Sequence, residues 1–132
     1  MNDQEHEATK ARIRALDEKW TERLVAGWRI TLAYVREDFK VNDEISPGTL
    51  ASSDAHWPYK FATISFNMPQ CLQNDDEELE EAFVHELCHL LVNELRWREG
   101  EDKDGYRLEH EEHTCTILAR AVIRVSNLAI SA

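Results

Sequence analysis

The chain has 132 residues, of which 42% are hydrophobic and 31% are charged, a composition typical of one soluble globular domain. Its 15 Lys and Arg residues against 26 Asp and Glu residues give a formal net charge of −11. This acidity opposes binding to nucleic acids and to anionic membranes, because both would repel the protein. We therefore expect a single domain over residues 1–132 that binds neither nucleic acid nor membrane.

The cysteines and the N-terminal segment both indicate a cytoplasmic protein. Cys71, Cys88 and Cys115 form an odd set without a CxxC pair, which suits a reducing compartment better than a disulfide framework. The N-terminal segment is charged and lacks the apolar centre of a secretory signal. No apolar run approaches the ~18–20 residues that a membrane-spanning helix needs.

The first half of the chain predicts one helix followed by strands. Residues 5–26 carry apolar side chains at helical spacing, and Gly27 is the predicted stop. Residues 28–37 are rich in β-branched and aromatic residues and predict a strand. Residues 38–59 predict a loop with a short strand. Residues 60–67 alternate apolar and polar side chains, as a strand with one buried face does.

The second half predicts two helices. Pro69 ends the strand, and acidic residues at 75–78 then crowd the start of a helix that runs to about Arg98. A polar loop at 100–105 leads into a last helix over about 106–128. The elements together predict a small α+β domain with an N-terminal helix, a mixed sheet of about three strands and two further helices.

One polar sector interrupts the otherwise apolar segment FVHELCHLLV, residues 83–92. At about 100° per residue, His89 projects near 40° from His85 and Glu86 near 100°. Two histidines at i and i+4 can both reach one ion at Zn–N distances of ~2.0–2.1 Å. Glu86 projects beside this pair, where it can hold a water without ligating the metal. The H-E-x-x-H motif therefore predicts bound Zn²⁺, with His85 and His89 as ligands and Glu86 as the catalytic residue.

Two histidines leave a catalytic zinc site incomplete, because such a site needs a third protein ligand. Helical phase favours Glu111 of the segment LEHEEHTC at 108–115, since this residue continues an apolar stripe expected to pack toward the histidine helix. The stripe consists of Cys115, Leu118, Val122 and Val125. The other candidate ligands are Glu112, Glu109, His110 and His113. A solvated first turn, in which the acids complement the helix dipole, is the alternative reading of this segment.

With these residues, the chain resembles the minimal Glu-zincins, a group of zincin-type metallopeptidases. The group includes small phage and prophage proteins and, more distantly, ImmA/IrrE-type and SprT-like peptidases. The similarity covers most of residues 60–122, and HELCH at 85–89 is its specific part. It implies a zincin-like domain whose strand at 61–67 lies at the sheet edge. An extended peptide or protein substrate would pair with the backbone of that strand.

The resemblance also bears on the remaining site residues. Related enzymes place the third glutamate about twenty residues after the second histidine, which would select Glu109. The candidates for an oxyanion-stabilising partner are Tyr106, His110 and His113. The implied function is a zinc metalloendopeptidase, in which Glu86 accepts a proton from the water that attacks the peptide carbonyl.

Two other functions remain open. The zinc could be structural, in an interaction module that is not an enzyme, and a closed site with four protein ligands would support this reading. A zinc hydrolase of non-peptide amides is the second alternative, because the same chemistry attacks other carbonyls. In each case we expect Cys88 and Cys115 to pack near the metal as small apolar groups rather than as ligands.

Overall fold

The described part of the chain contains four α-helices, a three-stranded mixed sheet and a separate pair of short strands, which confirms the predicted α+β class. This computed structural model describes the backbone of residues 1–41, 44–45, 48–99 and 106–131. Side chains are described for residues 1–40, 48–56, 58–92 and 110–128. None of the described helices is both long and apolar enough to cross a lipid bilayer.

The elements follow the predicted order. The helices are α1 (Asp3–Leu24), α2 (Met68–Gln73), α3 (Asp76–Glu99) and α4 (Tyr106–Ser131). The strands are β1 (Arg29–Val35), β2 (Lys40–Val41), β3 (Glu44–Ile45), β4 (Ala51–His56) and β5 (Phe61–Asn67). A 3-10 turn, Trp57–Tyr59, connects β4 to β5, while β2 and β3 pair separately with each other.

Local signals account for where the helices begin and end. A capping box starts α1, because the side chains of Asn2 and Glu5 each accept a hydrogen bond from the backbone N–H of the other. Gly27 has a φ of 86° and turns the chain from α1 into β1. The short helix α2 was not predicted. Pro69 lies in its first turn, a position that proline favours, so this residue begins a helix as well as ending a strand.

The strand β5 lies in the middle of the sheet, whose order is β1-β5-β4. It pairs in parallel with β1 from Arg29↔Phe61 to Val35↔Asn67, and antiparallel with β4 along Phe61–Phe66. The prediction that residues 61–67 form the sheet edge is therefore wrong, because both sides of this backbone are already hydrogen-bonded. In the described residues, β4 has no strand beyond it and is the edge next to α3.

The hydrophobic core lies between the sheet and the helices α1 and α3. Phe66 of β5 and Phe83 of α3 are fully buried, and their rings stack with centroids 5.9 Å apart. From α1, Trp20 is buried against α3 and donates its indole N–H to Glu80 at 2.9 Å. The helix α3 is therefore packed on several sides, and these contacts shield polar side chains in its middle from solvent.

The helix α4 packs mainly against α3, and only a narrow stripe of it is buried. Cys115 and Ala119 have no exposed surface, whereas Leu118 and Val125 are 38% and 64% exposed. The prediction that Leu118 and Val125 pack into the core is thus wrong. The helix is rotated so that the stripe facing α3 runs through Cys115 and Ala119, and the apolar residues on its other side face solvent.

Replacing Arg12 with alanine should lower the free energy of unfolding by about 2–3 kcal/mol, as loss of charge-assisted hydrogen bonds to backbone carbonyls does. The Arg12 guanidinium donates to the carbonyls of Cys71 and Asn74 at 3.1 and 2.8 Å, so it ties α1 to the connection between α2 and α3. Its ion pair with Asp76 adds little, because that carboxylate is 87% exposed. Urea unfolding of the two proteins measures the difference.

Arg14→Ala is the matched control for this measurement. Arg14 lies on the exposed side of the same helix, and its loss changes the net charge by the same amount. We expect this variant to stay within about 0.5 kcal/mol of the wild type. Equal destabilisation by the two substitutions would show that the contacts of Arg12 with the helix connection contribute nothing.

Candidate metal centre

The H-E-x-x-H segment lies in the middle of α3, where Val84, Leu87 and the neighbouring apolar residues are buried in the core. Glu86 and His89 are themselves only 7% and 9% exposed, and His85 is partly buried. One potential ligand atom from each of the three polar residues lies within 4.8 Å of the others. Burying three such groups is costly unless they have strong partners, so their contacts decide what the site can do.

Two imidazoles and one carboxylate converge at this point. The Nε2 atoms of His85 and His89 are 3.0 Å apart. The Glu112 carboxylate of α4 spans both, with one oxygen 3.1 Å from Nε2 of His85 and the other 2.8 Å from Nε2 of His89. Ligand atoms ~2.0–2.1 Å from a tetrahedral zinc ion are about 3.3 Å from one another, so the donor set and its spacing fit zinc.

The other ring nitrogens, Nδ1 of each histidine, have partners that can accept a hydrogen bond from them. Nδ1 of His89 lies 2.8 Å from the buried Glu111 carboxylate, which accepts a hydrogen bond from it. The Thr116 hydroxyl donates to the carbonyl of Glu112 at 2.9 Å, so its oxygen can accept from Nδ1 of His85 at 3.4 Å. With both protons on Nδ1, both Nε2 lone pairs point at the shared position, as in known histidine metal sites.

Burial also shifts the pKa values of His85 and Glu86 toward the neutral form of each side chain. Burial, together with the neighbouring His89, lowers the pKa of His85 and favours the neutral imidazole, which is the form that binds metal. Burial raises the pKa of Glu86 to about 7, although His89 and a hydrogen bond with the Ser53 side chain oppose this shift. Because Ser53 belongs to β4, the Glu86 carboxyl lies between α3 and the edge strand.

Both cysteines near the site are core residues. Cys88 of α3 and Cys115 of α4 have at most 1% of their surface exposed. Burial raises the pKa of Cys88 to about 11 and that of Cys115 to about 12, so both remain protonated thiols. They pack as small apolar groups between the two helices, which agrees with the expectation from the sequence.

The structure brings together most of the predicted site, but it arranges the acidic residues of α4 differently. Glu111 contacts His89 at its outer nitrogen, Nδ1, while Glu112 contacts the Nε2 atoms of both histidines. His110 and His113 are exposed. The side chains of Glu109 and Tyr106, the remaining candidates, lie outside the described residues.

Two contributing residues were missed by sequence reasoning. Thr116 could have been predicted from the sequence, because it lies four residues after Glu112 and therefore on the same side of α4. No sequence pattern points to Ser53, since its interaction with Glu86 depends on how β4 pairs with the sheet.

No model of a known protein family matches this chain, and neither the curated proteins nor the solved structures contain a significant match. The resemblance to Glu-zincins therefore rests on the HELCH motif and on the order of the elements around it. It stays a prediction, and the geometry of the site is the independent basis for assigning a function.

Proposed function

We propose that the protein is a zinc-dependent peptidase, with His85, His89 and Glu112 as metal ligands and Glu86 as the general base. The observation that carries the proposal is the convergence of two imidazole nitrogens and one carboxylate within 3.1 Å of one another. Two histidines and a glutamate are a donor set that catalytic zinc sites use. The Glu112 side chain is 54% exposed, so the site is open to water and to a substrate.

This assignment revises the third ligand. Helical phase favoured Glu111, but its carboxylate meets His89 at Nδ1, the ring nitrogen on the far side from the other imidazole. Glu111 is therefore the positioning residue, which accepts the Nδ1 proton and keeps the Nε2 lone pair of His89 available. Glu112 is the ligand, because its two oxygens contact the Nε2 atoms of both histidines.

Glu86 carries the proton chemistry of the proposed reaction. Bound zinc would supply a lowered water pKa and polarisation of a carbonyl oxygen. Glu86 accepts the proton as water attacks the peptide carbonyl, and it returns this proton to the leaving amine. Its raised pKa of about 7 supports this role, since a general base works best near the operating pH. The Ser53 side chain interacts with the same carboxyl and favours its charged form.

The proposed substrate is an extended peptide that pairs with the outer edge of β4. This replaces the strand at 61–67 as the substrate-binding edge, because β5 has no unpaired side. Two observations support β4. It is the edge strand that packs against α3, and its residue Ser53 contacts Glu86 directly. A peptide added to this edge would run beside the proposed general base.

Glu112→Ala should weaken zinc binding by more than ~100-fold, whereas Glu111→Ala should weaken it by ~10–100-fold, as loss of a group that orients a ligand does. The reason is that Glu112 contacts both Nε2 atoms and Glu111 contacts one Nδ1 atom. A chelator-competition titration of the purified variants gives the two affinities.

Glu77→Ala is the control, because this acid lies on the exposed first turn of α3, away from the histidines. It should leave zinc affinity unchanged. If Glu111→Ala proved the more damaging substitution, the third ligand would be Glu111, as helical phase predicts. If neither variant lost affinity, the third ligand would lie elsewhere, and Glu109 would be the next residue to replace.

One observation favours a second candidate function, a module with structural zinc. An oxygen of Glu86 lies within 4.8 Å of ligand atoms of both histidines, so this carboxylate could close the site as a fourth ligand. A closed site has no position for water and performs no hydrolysis. The two candidates differ in what Glu86→Gln does to zinc binding, and that substitution therefore separates them.

A further inference from the structure

The side of α4 that faces away from α3 is apolar and exposed. Its residues, called here the outer face of α4, are Ile117, Leu118, Ala121, Val125 and Leu128. Val125 and Leu128 are each 64% exposed, and Ile117 is 53% exposed. Surface hydrophobic residues are ordinary when scattered, but these lie together on one side of one helix. In the described part of the chain, α4 packs mainly on α3, and no other element covers the outer face.

The spacing of the outer face is that of a helix-packing seam. Leu118 and Val125 are seven residues apart, as are Ala121 and Leu128, and Ile117 lies four residues before Ala121. Apolar residues that repeat with this heptad spacing pack against a second helix by inserting side chains between those of the partner. A flat sheet edge or an extended peptide has no matching period.

The charges beside the outer face are positive, unlike those of the chain as a whole. Residues 113–128 contain Arg120 and Arg124 but no Asp or Glu, in a protein with a formal net charge of −11. Arg120 pairs with Glu81 at 2.8 Å. Arg124 is exposed and has no ion pair among the described side chains. This stretch is cationic and apolar, although the protein as a whole is acidic.

We propose that the outer face of α4 binds an amphipathic α-helix of a partner protein, with acidic residues flanking the apolar stripe of that helix. Heptad spacing selects a helix as the occupant, and Arg124 selects acidic flanks. A second copy of the chain is a poorer occupant. An antiparallel pair of α4 helices would bring their arginine-bearing flanks together, and these like charges repel each other. The inference does not depend on zinc or on peptidase activity.

Two synthetic peptides test the proposal on the full-length protein. Both carry leucine at the a and d positions of four heptads. One has glutamate at e and g, and the other has lysine there. Fluorescence anisotropy should show binding of the acidic peptide at least tenfold tighter than that of the basic one. Val125→Glu should weaken binding of the acidic peptide at least tenfold. Arg124→Glu should remove or reverse the preference between the peptides.

Asn127→Glu is the matched control, because it adds the same charge two residues away without removing an apolar contact of the outer face. It should weaken binding far less than Val125→Glu, and circular dichroism should show that both variants stay folded. Equal binding of the two peptides, or binding of neither, overturns the proposal. So does binding to anionic lipid vesicles that Val125→Glu abolishes, or sedimentation showing a dimer that Val125→Glu dissociates, since each assigns the face to a different occupant.

Discussion

Replacing His89 with alanine should abolish tight zinc binding, which is the largest effect on the metal that we expect from a single substitution. His89 makes the closer contacts in the site, because its two nitrogens meet Glu111, Glu112 and His85 at 2.8–3.0 Å. The nitrogens of His85 meet their three partners at 3.0–3.4 Å. Its removal takes away one ligand and leaves two carboxylates beside each other without the imidazole between them. The remaining proposed ligands, His85 and Glu112, are one fewer than the three protein ligands of a catalytic zinc site, so they should not hold the ion tightly.

The same variant should lose the thermal stabilisation that zinc gives to the wild type. A ligand that binds only the folded state stabilises it by about 4 kcal/mol when its concentration is 1,000 times its dissociation constant. For a chain of this size we expect a rise in melting temperature on the order of 10 °C or more when zinc is added. Calorimetry with and without zinc measures the rise, which should be absent in His89→Ala.

His113→Ala is the control for His89→Ala, because this histidine lies exposed on α4. It should bind one zinc per chain with unchanged affinity. Elemental analysis that finds no metal in fresh wild-type protein, or full zinc content in His89→Ala, would contradict the proposed centre. Absence of metal from the wild-type protein would also remove the basis for the peptidase assignment.

Sequence reasoning found the histidine pair because the relevant geometry is local. His85 and His89 belong to one helix, and a spacing of four residues brings their rings together whatever surrounds them. The glutamate between them is likewise fixed to one side of the same helix. The boundaries of the long helices and of β1 and β5 followed from local patterns as well, to within a few residues.

The choice between Glu111 and Glu112 could not be made in this way. It depends on how α4 is rotated about its own axis relative to α3. The apolar side chains of α4 suggested a rotation that buries Leu118 and Val125, yet Leu118 is 38% exposed and Val125 is 64% exposed. The angular position of apolar residues does not fix the rotation of a helix that has two apolar sides. The sequence alone cannot show which of the two sides is buried and which is exposed.

The edge of the sheet was also beyond local patterns. Strand order depends on pairing between distant segments, and β4 carries the sequence ASSDAH, which has little of the β-branched and aromatic content typical of strands. The edge position of residues 61–67 was implied by the resemblance to Glu-zincins, and the sequence of β4 offered no local pattern to correct it. The consequence for function is direct, because the contact between Ser53 and Glu86 comes with β4.

Glu86→Gln should lower peptide hydrolysis by ~100-fold or more while the protein keeps its zinc, as loss of a general base typically does. Glutamine has the size and shape of glutamate but cannot accept a proton. The Ser53 hydroxyl can still donate to its amide oxygen, so the side chain should keep its orientation between α3 and β4. Burial already disfavours the charged form of this residue, so a neutral amide should not destabilise the fold.

Zinc content, melting temperature and cleavage of an unfolded protein substrate should be measured side by side for the wild type and Glu86→Gln. Retained zinc with lost cleavage supports the peptidase. Ser53→Ala is the companion variant, since it leaves the carboxylate in place and removes only the hydroxyl that favours its charged form. We expect it to lower cleavage by a smaller factor than Glu86→Gln and to leave zinc binding intact.

Loss of zinc from Glu86→Gln would support the module with structural zinc instead. If Glu86→Gln lost most of its zinc affinity, Glu86 would be a fourth ligand, which its distance of less than 4.8 Å from the histidine ligand atoms allows. The site would then be closed and the zinc structural, and the wild type should show no cleavage of the same substrate. Because an open site and a site closed by Glu86 predict opposite zinc contents for this one variant, the zinc content shows whether Glu86 is a ligand without knowledge of the natural substrate.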